Sequence, residues 1–191
     1  DKYGKLKRTY EALSELTTQV KEEIDHLETI STALDIALKE EDLVEIKEEL
    51  TQAAKPQKGG TKKAKITSKP FHYLSSDGFH IYVGKNNFQN DELTFKFANG
   101  NDWWFHAKGI PGSHVVVKTE GKELPDRTFE EAGRLAAYYS KGREQEKVEI
   151  DYVQKKQVKK PAGAKPGFVV YYTNYSLMID SDISGIEKIS D

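Results

Sequence analysis

Leu6, Leu13, Val20, Leu27 and Leu34 recur every seven residues in a stretch otherwise rich in Glu, Lys, Thr and Ser. A second row at Tyr10, Thr17, Ile24 and Ser31 is half apolar, and Leu16 and Ile30 widen the seam, so the pattern is a weakened heptad repeat. No proline interrupts it and Gly4 is its only glycine, which predicts a helix over Leu6 to Ala37 and a shorter one over Asp42 to Gln52. A helix of about 30 residues reaches about 45 Å at 1.5 Å per residue, too long to lie along a small domain. Its stripe calls for a partner helix, either a symmetry mate or another arm of a longer protein. The opening DKYGKLKRTYEAL, already helical in character, reads as a cut from such a longer chain.

From Pro70 the period shortens to that of strands. Phe71–Leu74 and Phe79–Val83 flank Ser75-Ser76-Asp77-Gly78 and read as a hairpin with a glycine-containing turn. Gln89-Asn90-Asp91 would cap a short helix through Ala98, although Leu93, Phe95 and Phe97 also alternate like a strand. Trp103 to His106 and Val115 to Val117 read as strands. Thr128-Phe129-Glu130-Glu131 has the form of a capping box opening a helix to Ser140, with Phe129, Ala132, Leu135, Ala136 and Tyr139 on its buried face. Strands follow over Val148 to Val153, Gly167 to Tyr172 and Tyr175 to Asp180. Strands and helices without regular alternation argue an α+β fold: a mostly antiparallel sheet with flanking helices, preceded by a long coiled-coil helix. The organisation expected is a coiled-coil arm over 1–54, a basic linker over 55–69 and a domain over 70–191.

Charge sharpens this division. Residues 1–50 hold seven Lys/Arg and fourteen Asp/Glu, and the whole chain holds 29 and 31. The arm is therefore at −7 and the remainder, with 29 − 7 = 22 bases and 31 − 14 = 17 acids, at +5. An acidic arm on a basic body points to a polyanionic partner for the body. Ala53 to Lys69 carries six lysines and no acid, and Gln154 to Gly167 carries five lysines and no acid. The absence of cysteine excludes disulfides and thiolate metal sites. No apolar run approaches the roughly 20 residues of a membrane span.

The densest chemistry lies in Asn101–Val117, NDWWFHAKGIPGSHVVV, which holds both tryptophans and two of the five histidines. On a strand, Trp103 and Phe105 share one face and Trp104 and His106 the other. At least one tryptophan is expected in the core, and His106 is either a satisfied scaffold residue or a functional one. Gly109, Pro111 and Gly112 suit a tight turn or a nest of free backbone amides, displaying Lys108, Ser113 and His114. Amides, cations and aromatics so grouped suit a phosphate and a stacked base. Catalysis has little to stand on: there is no metal-ligand spacing, no triad, since adjacent Ser113 and His114 face opposite ways, and no phosphate-binding glycine motif.

DWWFHAKGIPGSHVVVK, preceded by VGKNNFQNDEL and followed by AGRLAAYYSKGRE and VKKPAGAKPG, resembles the C-terminal RNA-binding module of the NFACT family over about Phe71 to Asp180. Trp104 occupies the motif tryptophan, and Trp103 stands where the family has an aliphatic residue. The resemblance implies a non-catalytic RNA-binding module, without cofactor or metal, of a cytoplasmic ribosome quality-control factor. For the full-length protein the resemblance implies binding to the large ribosomal subunit and tRNA at stalled nascent chains and, as in bacterial members, extension of the chain with an alanine tail. Partners implied are tRNA and large-subunit rRNA, with a partner helix for the arm. The resemblance also implies an alternative, an anchorless surface adhesin domain for fibronectin or fibrinogen. The RNA-contacting residues expected are Lys85, Asn86, Asp102, Trp104, His106, Lys108, Gly109, Pro111, Gly112, Ser113 and His114, with Lys155, Lys156, Lys159, Lys160 and Lys165 of the second basic segment.

Overall fold

The computed structural model describes residues 1–54 and 67–190, so the basic linker expected over 55–69 lies mostly outside the described residues. Helix α1 spans Lys2–Ile36, its first turn closed by the Asp1 carboxylate, which accepts from the Tyr3 N–H. The heptad positions Leu6, Leu13, Val20, Leu27 and Leu34 are between 46% and 60% exposed, so the stripe faces solvent among the described residues. Helix α2 (Glu40–Ala53) folds back on α1 and packs Ile46 against Ile30 and Ala33. Ile30 therefore lies on the α2 side of the helix rather than in the seam.

Seven strands form one antiparallel sheet in the order β8-β5-β3-β4-β2-β1-β9. They are β1 (Phe71–Leu74), β2 (His80–Val83), β3 (Trp103–Ala107), β4 (Val115–Val117), β5 (Val148–Gln154), β8 (Tyr175–Ile179) and β9 (Glu187–Ser190), and a two-stranded ribbon of β6 (Val158–Lys159) and β7 (Val170–Tyr171) stands apart. Helix α4 (Asp126–Tyr138) covers one face, where Ala132, Leu135 and Ala136 meet Phe71, Ile81, Phe105, Val115 and Val117. The other face is covered at its centre by Leu93 and by Val158 of the ribbon, over Trp104, Val116 and Val153. Because β3 and β4 are interior strands, both of their faces are buried, and Trp104, Phe105 and Val115 to Val117 are wholly inaccessible. The α+β class, the antiparallel sheet and the long N-terminal helix are as the sequence implied.

Local details differ. The helix after β2 is α3 (Asn87–Glu92), capped by Asn86, whose side-chain oxygen accepts from the Gln89 N–H at 2.9 Å. It runs on into a π-helix, Leu93–Phe97, which displaces the strand alternative. Thr128 and Glu131 form no capping box, since the N-cap of α4 lies three residues earlier, at Pro125. They hold the β1–β2 turn instead: Thr128 Oγ1 lies 3.0 Å from Asp77 Oδ2, and Glu131 accepts from the Ser76 N–H at 2.9 Å. The strand expected over 167–172 shrinks to β7. No helix among the described residues is long and apolar enough to cross a membrane.

Candidate nucleic-acid interface

The aromatic motif is mostly scaffold. Trp104 packs within 5.0 to 5.7 Å of the rings of Tyr171, His114 and His106, with its indole Nε1 buried and unpartnered among the described residues. Asp102, 1% exposed, accepts from the Asn99 N–H (2.7 Å), the Thr119 N–H (3.0 Å) and Lys118 Nζ (2.6 Å). Burial alone would raise its pKa, but these donors outweigh it and hold the carboxyl below its ordinary range. Asp102 thus ties the loop before β3 to the end of β4.

His114 is also buried. Its Nε2 is 3.1 Å from the Gly167 carbonyl oxygen, which only accepts, so Nε2 carries the proton and Nδ1 accepts from Thr94 Oγ1 at 2.8 Å. Burial and neighbouring His106 push its pKa well below the ordinary value, which keeps the ring neutral. The ring therefore clamps Gly167, the end of the lysine-rich segment, to the π-helix. His106, half-buried and edge-on to His114 at 5.6 Å, pairs in register with Asp151 of β5, and burial lowers its pKa as well.

The turn after β3 has fewer free amides than its glycines suggest. The Ser113 N–H donates to the Tyr139 carbonyl and the His114 N–H to Asn90 Oδ1. Pro111 accepts from the Lys141 N–H, and Gly112 bridges to Ser140 so closely that a Cβ there would meet the Ser140 Cβ at 2.9 Å. Gly109 adopts φ 67°, where glycine is favoured. Lys108 is exposed but paired with Glu149 at 2.8 Å. This segment docks the turn on the end of α4.

Lys85 and Asn86, expected at the interface, lie buried at the junction with the arm, each 2% exposed. Lys85 Nζ is 3.2 Å from Asp42 Oδ1, and the Asn86 and Gln89 side-chain amides donate to Glu45 Oε2 at 2.7 and 3.1 Å. Asn87 and His26 meet Glu49 Oε1 at 2.7 and 3.0 Å. Three carboxylates of α2 thus fix the arm to the body, and these groups offer nothing to a ligand in this arrangement.

The second basic segment is different. Lys156, Lys159 and Lys165 are exposed and Lys155 half-buried, and none of the four has a carboxylate partner among the described residues. Lys155 and Lys160 approach the Phe95 ring at 5.7 and 5.9 Å, and Lys160 also pairs with Asp91 at 2.5 Å. Beside them Phe168 and Tyr172 are 56% and 73% exposed. Sequence reasoning missed these two rings, although Phe168 directly after Pro166-Gly167 in a lysine-rich run was a usable signal. Lysines free of acids beside open aromatic faces can hold phosphates and stack bases.

Residues 69–173 match the model of the NFACT protein RNA binding domain. The chain is 42% identical over 189 residues to the Rqc2 homolog RqcH of Streptococcus pneumoniae and 38% identical over 192 residues to that of Bacillus subtilis. Each alignment covers 98% of this chain, which spans about a third of either relative (34% and 33%). The solved C-terminal part of the fibronectin/fibrinogen-binding protein from Streptococcus suis superposes with a TM-score of 0.85 at 41% identity, covering 97% of this chain and 76% of that one. Matched by the family model over more than half of its length and by such relatives over nearly all of it, the chain belongs to the NFACT family.

Proposed function

We propose that this chain is the RNA-binding module of a ribosome quality-control factor, and that it grips RNA through the face built by residues 155–172. The observation that carries this reading is a set of lysines with no carboxylate partner among the described residues, Lys155, Lys156, Lys159 and Lys165, beside the open rings of Phe168 and Tyr172. Flexible ammonium groups suit the phosphates of any sequence, and the rings add stacking that tolerates any base. Lys108 and Lys160, each already paired, contribute less, while Asp102, Trp104 and His114 hold the face in shape. Within the whole factor, the family resemblance directs this module to large-subunit rRNA and tRNA at stalled nascent chains in the cytoplasm. The module binds and does not itself elongate.

Filter binding of tRNA and large-subunit RNA across a salt series tests the reading. Replacing the four lysines by alanine should lower the slope of log affinity against log salt by about 3, at 0.7 to 0.9 per phosphate contact. Wild-type affinity indifferent to salt would overturn it. The name of the solved relative supports a second reading, fibronectin or fibrinogen binding. Capture on immobilised fibronectin that survives nuclease treatment would favour that one.

A further inference from the structure

We infer that the RNA-contacting face continues across the π-helix onto a stacking platform of Phe97, Tyr82 and His72, and that its ligand is unpaired RNA rather than a duplex. This deepens the reading above and rests on it.

The π-helix sends its two phenylalanines to different neighbours. Phe95 lies under Lys155 and Lys160, at the edge of the lysine-rich segment. Phe97 turns to β2, edge-on to Tyr82 with ring centroids 4.7 Å apart. Tyr82 in turn stacks on His72 at 4.4 Å and an interplanar angle of 10°. His72 Nε2 lies 2.7 Å from His80 Nδ1, a hydrogen bond that one bridging proton satisfies. Burial and His80 lower the His72 pKa, which favours a neutral, stackable ring. The cover over this side of the sheet is centred on Trp104, Val116 and Val153 and leaves the outer rings in partial contact with solvent. Phe97 is 43% exposed, and Tyr82, His72 and His80 are half-buried. The rings are thus ordered by one another and open at one end.

Charge divides the labour. Lys118 sits 4.8 Å from the Phe97 ring centroid, but its ammonium is committed to Asp102 and to the Phe97 carbonyl. Cations without a carboxylate partner among the described residues reach this region from the turn after β5, where the Lys156 N–H donates to the Gly100 carbonyl just beyond the π-helix. A strand crossing here meets lysines on one side of Phe95 and a ring stack on the other. Bases already paired and stacked in a duplex cannot present their faces to such rings, whereas looped or single-stranded bases can.

The test uses the full chain with a short oligouridylate and an RNA duplex of equal length at one salt concentration. Wild type should prefer the oligouridylate. Phe97→Ala should lower that affinity about tenfold or more, with duplex affinity and salt slope unchanged. A melting temperature like that of wild type shows the fold intact, and photo-cross-links from 4-thiouridine mapped to Tyr82 or Phe97 give a readout independent of any substitution. Equal binding of duplex and single strand, or an unaffected Phe97→Ala variant, overturns this inference and leaves the proposed function standing. Binding of neither RNA overturns both.

Discussion

Replacing Lys85 by alanine should destabilise the body and the arm together. The Lys85 ammonium is 3.2 Å from Asp42 Oδ1, 3.4 Å from Ser68 Oγ and 4.7 Å from the Phe71 ring centroid. Asp42 is 1% exposed, so its carboxylate has no water to turn to when the cation is gone. Removing one partner of a buried pair costs about 3–5 kcal/mol. The lower end applies here, because Asp42 keeps the N–H groups of Leu38 and Lys39 and the Ser68 hydroxyl. A loss of about 3 kcal/mol lowers the melting temperature of a chain this size by about 6–12 °C. Both tryptophans lie in β3, so their fluorescence reports the body, while far-UV circular dichroism is dominated by α1 and α2. Ile36 of α1 belongs to the main core, so the two signals should fall together. Adding Asp42→Ala to Lys85→Ala should cost less than the sum of the single changes. A fall below about 2 °C, additive single changes, or a dichroism transition that moves alone would refute the reasoning.

Acid should loosen the His114 clamp. His114 is depressed below its ordinary 6.5, so its contribution is whole above about pH 6.5 and is lost as pH falls from there toward its own pKa; thermal melts from pH 8 to 5 should show a shallower decline for His114→Gln. Asp42 and Asp102, both held low, keep their contributions until pH falls below 3.8, which puts the steep part of acid unfolding there. Gly112→Ala should cost about 1–3 kcal/mol in urea unfolding, since its Cβ meets the Ser140 Cβ at 2.9 Å and the Tyr139 carbonyl at 3.3 Å. Trp104→Ala, at a wholly buried site, should cost about 3–5 kcal/mol and leave the salt slope of RNA binding of any remaining folded protein unchanged.

What the sequence disclosed and what it hid follow one physical line. The heptad of α1 and the hairpin of β1 and β2 are local patterns, and local patterns survive in the sequence. Ile30 looked like part of the seam because its burial is decided by α2 folding back, an event with no local mark. Lys85 and Asn86 sit in the polar run Gly-Lys-Asn-Asn, which reads as exposed; their partners Asp42 and Glu45 are 43 and 41 residues away. The engagement of the turn after β3 has no local mark either, because the Tyr139 carbonyl and the Asn90 side chain that accept from the Ser113 and His114 N–H groups belong to distant elements. β9 is a short, wholly exposed edge strand, so no alternation announces it. The lysines of 155–165 were legible as a composition, whereas the open rings of Phe168 and Tyr172 became visible only once the fold left them uncovered.

The junction of α2 with the body also sets a length scale. Helix α1 has 35 residues and so extends about 52 Å at 1.5 Å per residue, and each degree of rotation at its base carries the far end about 0.9 Å. Greasy contacts let helices slide, but hydrogen bonds to Asp42, Glu45 and Glu49 lose strength as soon as their angles change. With Ile36 seated in the main core, the carboxylates of α2 therefore make the arm a ruler, its reach from Lys2 to the lysine face set by contacts near its base.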